Sequence, residues 1–251
     1  MTRRARLDAL VVERGLADTR ARARALILAG QVRVDDAVVS KAGTAVAPDA
    51  EITLATPDHP YVGRGGVKLA AALDRFGIDV TARTAIDIGA STGGFTDALL
   101  QRGAARVVAL DVGRGQLDWR LRTDPRVVVL DGVNARRVRP AMLPPEARPA
   151  NIVTIDVAFI SLRLVLPAVP ALLAPAGDVV ALVKPQFEAT RAEVGKGGIV
   201  RDPAVRARVV DEVAAAADAV GLPRVAAAPS PLRGAGGNQE IFLHLRLREV
   251  P

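Results

Sequence analysis

The sequence predicts an α/β protein, a mainly parallel, doubly wound sheet preceded by a small α+β domain. Three observations carry that expectation. A short apolar strand, Thr84 to Ile88, runs into a glycine-rich turn, Gly89-Ala-Ser-Thr-Gly-Gly94, and then into a helix beginning near Phe95, the opening unit of a nucleotide-binding sheet. Val/Ile/Leu-rich runs recur at 106–111, 126–131, 151–156 and 178–184, three ending on aspartate and one on lysine. The carboxyl ends of parallel strands border the ligand crevice, so Asp111, Asp131, Asp156 and Lys184 should share one edge. The first 56 residues instead suggest two short helices and brief valine-rich strands, closed by the proline-bounded stretch Thr56-Pro-Asp-His-Pro60.

In the leading unit, Leu7, Leu10 and Val11 share a helix face that Gly15 ends. Asp18 or Thr19 caps a second helix carrying Arg20, Arg22 and Arg24, with Leu26 and Ile27 turned inward and Gly30 at its end. Val32, Val34, Val38, Val39, Val46, Ile52 and Leu54 mark short strands. A net charge of +7 makes a polyanion the expected large partner, and the arginine-bearing helix is the natural phosphate-reading surface, with Arg4, Arg6, Arg33 and Arg64 beside it. The pattern T-R-x-x-A-x-x-L-I-x-x-G-x-V-x-V, Thr19 to Val34, resembles the small RNA-binding domain of a ribosomal small-subunit protein, also found in pseudouridine synthases and tyrosyl-tRNA synthetases. That family usually has Asn-Gly in the next turn; this chain has Asp35-Asp36. The division expected is an RNA-binding domain over 1–56, a linker over 57–62 and a catalytic domain over 63–251.

Tyr61-Val-Gly-Arg-Gly-Gly-Val-Lys-Leu69 leads into a helix running to about Phe76, with Lys68 near its start. The following turn has the spacing G-x-x-x-G-G, neither the dinucleotide fingerprint nor a phosphate loop, and contains no lysine to hold a polyphosphate. An uncharged or cationic nucleoside cofactor suits it, S-adenosylmethionine foremost. Its binding set is expected to be Asp87, Gly89, Ala90, Ser91, Thr92, Gly93, Gly94 and Phe95, with Asp111 on the ribose hydroxyls and Asp131-Gly132 toward the adenine. Leu164 to Val183 is almost wholly apolar, but Pro167, Pro170, Pro175, Gly177 and Asp178 divide it into a short helix, a turn and a strand too short to span a bilayer. Gly195-Lys-Gly-Gly-Ile-Val200 reads as a mobile loop near the substrate, where Lys196 could touch a phosphate. A helix over 203–220 and strands over 224–228 and 241–247 complete the chain, the last preceded by Gly-Asn-Gln-Glu240.

With no cysteine and two histidines, neither disulfides nor a zinc centre is expected, and no metal site is assigned. No apolar signal segment follows the charged N-terminus, so the cytoplasm is the expected compartment. Only four of the 34 basic residues are lysine: Lys41, Lys68, Lys184 and Lys196. Arginine stays charged whereas lysine can lose its proton, so lysines kept in an arginine-rich chain are candidates for chemistry. Lys68, Asp156, Lys184 and Glu240 lie on four separate segments that the sheet could bring to one edge. Methyl transfer from a sulfonium needs an aligned oxygen nucleophile and a group to receive or offset its proton. A neighbouring lysine would push Lys184 toward a neutral base, and the two carboxylates, which would orient it, oppose that shift; base and positioner both stay open.

From Tyr61 onward the chain resembles the FtsJ/RrmJ-type ribose 2′-O-methyltransferases, on Y-V-G-R-G-G-V-K-L, D-I-G-A-S-T-G-G-F-T-D, I-D-V-A-F-I-S-L, V-K-P-Q-F-E and G-N-Q-E. With the leading RNA-binding domain it is similar to the TlyA family, also labelled hemolysin A. The resemblance implies a Rossmann-like, S-adenosylmethionine-dependent methyltransferase that acts on ribosomal RNA within ribosomal subunits, with Lys68, Asp156, Lys184 and Glu240 as a catalytic tetrad. Gly63 stands where the family often has serine. A non-catalytic ribosome-assembly factor and a membrane-active hemolysin are the competing readings; the absence of a credible membrane segment disfavours the second.

Overall fold

The computed structural model describes residues 4–17, 19–54, 59–234 and 236–248. The leading unit holds β1 (Ala5–Arg6), α1 (Leu7–Glu13), α2 (Arg20–Leu28), β2 (Val32–Val34), β3 (Ala37–Val38), β4 (Ala45–Val46) and β5 (Ile52–Leu54). Thr19 caps α2 by accepting from the Arg22 amide, whereas Asp18 lies outside the described residues. Leu7, Val11, Ile27 and Val32 are fully buried at the centre of this unit. Strands β2 and β3 form a hairpin that pairs Val34 with Ala37, so Asp35 and Asp36 are its two-residue loop. Both have positive φ, 47° and 64°, as in the type I′ turn that Asn-Gly adopts most readily. The exchange to Asp-Asp has therefore kept the turn. Asp36→Gly is expected to stabilise this unit by about 0.5–1 kcal/mol by relieving the left-handed strain, measurable by urea unfolding.

The rest of the chain forms α3 (Arg64–Phe76), β6 (Thr84–Ile88), α4 (Gly94–Gln101), β7 (Arg106–Asp111), α5 (Trp119–Arg122), β8 (Val127–Asp131), β9 (Ala150–Ile155), β10 (Leu173–Val183), α6 (Pro185–Glu188), α7 (Pro203–Ala219), β11 (Arg224–Pro229) and β12 (Ile241–Arg246). Seven strands make one sheet in the order β11-β12-β10-β9-β6-β7-β8. Neighbours from β10 to β8 are parallel, and β12 runs antiparallel to both β10 and β11. Alternation along β10 explains the apolar run seen in sequence: Val179, Ala181 and Val183 enter the core on one face, Val180 and Leu182 the core on the other.

The helix expected after Leu164 does not form. Three 3₁₀ turns, Leu162–Leu164, Leu166–Ala168 and Pro170–Leu172, take its place. Pro167 and Pro170 each remove an amide donor and clash with the preceding turn, which a continuous α-helix cannot absorb. Among the described residues no helix is long and apolar enough to cross a membrane.

Two features of this topology place the site. The chain order reverses about β6, with β7 and β8 to one side and β9 and β10 to the other, so a crevice opens where β6 and β9 end side by side. There the Asp156 amide donates to the Ile88 carbonyl at 2.9 Å. Because β12 is antiparallel, its first residue, Ile241, pairs with Val183 at the end of β10, which sets Glu240 beside Lys184.

Candidate active site

A cavity of about 720 Å³ occupies that edge. Its lining includes Lys68, Asp156, Lys184 and Glu240, together with Gly89, Ala90, Ser91, Thr92, Gly94 and Phe95 of the glycine turn. The four charged groups form two pairs. The Lys68 ammonium donates to the Glu240 carboxylate at 2.5 Å, both largely buried, and Lys184 forms an ion pair with Asp156. Glu240 is thus the direct partner of Lys68, whereas sequence reasoning joined it to Lys184.

Each residue arrives by a separate device. Lys68 stands in the second turn of α3, whose start crosses α4 closely: a Cβ on Gly94 would lie 2.9 Å from the Gly66 backbone nitrogen. Asp156 and Lys184 directly follow β9 and β10. Glu188, at the end of α6, accepts from the Ser161 hydroxyl at 2.5 Å and from the Leu162 amide at 2.7 Å, fastening the segment after Asp156 to the segment after Lys184. Glu240 fills the space beside Gly234, where a Cβ would fall 2.1 Å from its carboxylate oxygen.

Burial acts against the charge of Lys184, but the Asp156 and Glu240 carboxylates more than offset it and hold the ammonium above the ordinary lysine value. Of the opposing influences that the sequence left open, the attraction of the two carboxylates prevails. Lys184 is a cation in this site, and the tetrad of two ammoniums and two carboxylates is close to neutral.

The predicted cofactor residues divide. Asp87 is fully buried below the turn and does not reach the cavity; it accepts from Thr96 at 2.7 Å and Thr154 at 3.1 Å, tying β6 to α4 and β9. Gly93 faces away, toward Leu117 and Leu121. Asp111 does not line the cavity either; it braces the turn by accepting from the Ser91 amide at 2.8 Å and from the Gly113 amide at 2.7 Å. Asp131 accepts from Arg122 and the Gly115 amide, and neither it nor Gly132 lines the cavity. Asp111 and Asp131 pair in register at the ends of β7 and β8, so the shared edge was legible although the cavity centres elsewhere.

Burial, opposed by the Thr96 and Thr154 hydroxyls, pushes the Asp87 carboxyl up to about 7. A carboxyl raised in the folded state binds more protons folded than unfolded between pH 4 and 7, so stability falls as pH rises through that window. Asp87→Asn should flatten that fall, which denaturant unfolding at pH 4.5 and pH 7.5 will measure.

The predicted RNA-contact arginines also divide. Arg6, Arg20 and Arg24 all bond the buried Asp8 carboxylate, at 2.9 to 3.1 Å, which fixes three half-exposed guanidiniums in one array and offsets one of their charges. Those hydrogen bonds, Arg6 first, hold Asp8 well below the carboxylate range against the opposing effect of burial. Arg22 pairs with Asp118 of the catalytic domain. Arg4 and Arg33 are exposed, and Arg64 lines the cavity.

Sequence reasoning gave no role to several contributors. Ser40, Lys41 and Ala42 of the leading unit form part of the cavity wall, although only the scarcity of lysine had marked Lys41. Phe159 is 91% exposed at the cavity with φ of 63°, its ring centroid 5.3 Å from that of Phe187. Asn238, 2% exposed, accepts from the Val200 amide and donates to the Gly198 carbonyl, tying down one end of the glycine loop over 195–200. Gly197 and Gly198 reach the cavity; Lys196 does not line it.

Residues 61–247 match the FtsJ-like methyltransferase family, and residues 5–52 match the S4 domain. The chain is 49% identical over 247 residues to the 16S/23S rRNA (cytidine-2′-O)-methyltransferase TlyA of Mycobacterium tuberculosis, covering 98% of this chain and 91% of that protein. It is 39% identical over 239 residues to a Brachyspira hyodysenteriae protein named Hemolysin A, covering 95% and 98% respectively. A solved structure from Streptococcus thermophilus, described as a hemolysin, superimposes with a TM-score of 0.77 at 41% identity, covering 100% of this chain and 91% of that one.

Proposed function

The chain belongs to the TlyA family of FtsJ-like rRNA 2′-O-methyltransferases, and from that membership we propose its cofactor, its target group and the division of labour in its cavity. The methyl donor is S-adenosylmethionine, and the acceptor is the ribose 2′-hydroxyl of a cytidine in ribosomal RNA. The observation that carries this reading is the convergence of Lys68–Glu240 and Lys184–Asp156 on the cavity bounded by the glycine turn.

The cavity fits the cofactor. Its volume of about 720 Å³ falls within the range of small-molecule sites. The turn presents backbone rather than cationic side chains, and the near-neutral tetrad tolerates a sulfonium where an unpaired lysine would repel it. When bound, the cofactor supplies a methyl group on a positively charged sulfur. The protein supplies alignment. Lys184, held as a cation, donates to the 2′-oxygen and fixes the direction of its remaining lone pair, and the hydroxyl proton passes to the Asp156 carboxylate as the oxygen becomes nucleophilic. Lys68–Glu240 keeps the second ammonium from competing for Asp156. Phe159 offers its exposed face to the target base; a positive φ on an aromatic residue costs about 1–3 kcal/mol, and such strain gathers at functional sites.

The test is transfer of labelled methyl from S-adenosylmethionine to isolated ribosomal subunits. The wild type should label one or both subunits and Lys184→Ala neither. Cofactor binding without transfer to either subunit would favour the assembly-factor reading.

A further inference from the structure

One residue touches both the RNA-reading helix and the cofactor turn. The Asp118 carboxylate accepts from the Arg22 guanidinium of α2 at 3.1 Å, across the junction between the leading unit and the catalytic domain. Its own amide donates to the Thr92 carbonyl at 3.1 Å, inside the turn that bounds the cavity. Its neighbours Leu117 and Leu121 press on the same turn from below, leaving no room for a Cβ on Gly93, which would fall 2.8 Å and 2.2 Å from their methyl groups. Asp118 also caps α5 by accepting from the Arg120 amide at 3.0 Å. Its side chain is only 13% exposed, whereas Arg22 is 46% exposed and open to a second anionic partner.

We propose that Asp118 is a positioning residue through which RNA binding at Arg22 adjusts the cofactor turn. A backbone phosphate on the exposed side of Arg22 competes with Asp118 for the guanidinium. Released from that pair, Asp118 and the start of α5 shift against Thr92 and Gly93, and the affinity of the turn for the cofactor changes. By linkage the effect is reciprocal: bound cofactor changes the affinity for RNA by the same factor. The coupling rests on the methyltransferase reading above, but it concerns where the signal passes rather than what is transferred.

The chain contains a single tryptophan, Trp119, directly after Asp118 and 71% exposed, so its fluorescence reports the start of α5 without any turnover. The experiment measures the dissociation constant of S-adenosylmethionine by calorimetry, with and without a saturating ribosomal subunit, and follows Trp119 emission during the cofactor titration. Asp118→Asn is the central variant, because asparagine retains the helix cap while losing the charge that holds Arg22. Arg22→Ala, at a half-exposed side chain, opens the same contact from the other side.

The wild type should show cofactor affinities that differ by roughly five-fold between the two conditions. Asp118→Asn should bind cofactor without RNA as the wild type does with RNA, with an RNA-dependent change below about two-fold and a matching loss of the Trp119 response. Arg22→Ala should behave alike, and the double variant should add nothing further. An RNA-dependent change that persists at wild-type size in both variants would overturn the proposal, as would a wild type that binds both ligands with no coupling. A wild type that fails to bind S-adenosylmethionine at all would instead remove the functional reading, along with the proposal that rests on it.

Discussion

Lys184→Ala is expected to lower the rate of methyl transfer by roughly 10²- to 10⁴-fold, the usual contribution of a positioned proton-handling group. Cofactor affinity should stay within about three-fold of wild type, because the role proposed for Lys184 is on the acceptor oxygen. The Asp156 carboxylate that it leaves behind lines the cavity, so water entering the space vacated by the lysine can solvate it and the fold should survive. Single-turnover rates and calorimetric affinities separate the two quantities. Lys184→Arg refines the assignment. Arginine remains charged across the working pH range, so it can orient a hydroxyl but cannot pass a proton on. Residual transfer well above that of the alanine variant would mark orientation as the main contribution, and an equal loss would place proton transfer on the lysine itself.

Gly89→Ala is expected to destabilise the catalytic domain by roughly 2–4 kcal/mol and to abolish cofactor binding. Gly89 has φ of 88°, and a Cβ there would lie 2.3 Å from the Asp156 carbonyl oxygen, a backbone atom that cannot swing aside. The substitution therefore forces apart the ends of β6 and β9 at the crevice itself. Gly77→Ala provides the comparison. It has φ of 65°, but a Cβ there would meet nothing within 4 Å, so the change should cost only the left-handed strain, about 1–2 kcal/mol, and leave binding intact. Urea unfolding and cofactor titration of the two variants distinguish crowding at the site from backbone strain alone.

The sheet was readable because a buried parallel strand must be apolar on both faces and its polar end must face the crevice. The runs ending at Asp111, Asp131, Asp156 and Lys184 announced both strands and edge. Asp156 and Lys184 reach the cavity for that reason, whereas Lys68 comes from α3 and Glu240 joins them through an antiparallel last strand whose direction no local pattern encodes. The pairing within the tetrad was not legible, since it depends on where α3 crosses α4. Asp87 looked like a ligand because it precedes the glycine turn. In a strand, alternate residues face opposite sides, and Thr96 and Thr154 capture it below the turn. Phe159 was invisible for a different reason: a residue type carries no record of its φ, and only the folded segment between Asp156 and Glu188 shows an aromatic ring held out in the open. The arginines around Asp8 were visible as charges but not as a bonded array, because Asp8 stands on the preceding helix and meets Arg20 and Arg24 only after α1 and α2 pack.

The tetrad is proposed to direct a methyl group to a ribose oxygen. The most direct test of that role is the position of the transferred group. Ribosomal RNA labelled by the wild-type enzyme, digested and analysed by mass spectrometry, should yield 2′-O-methylcytidine, with the adjacent phosphodiester resistant to alkali. Label recovered on a base, with the linkage still alkali-sensitive, would rule out that role for the tetrad.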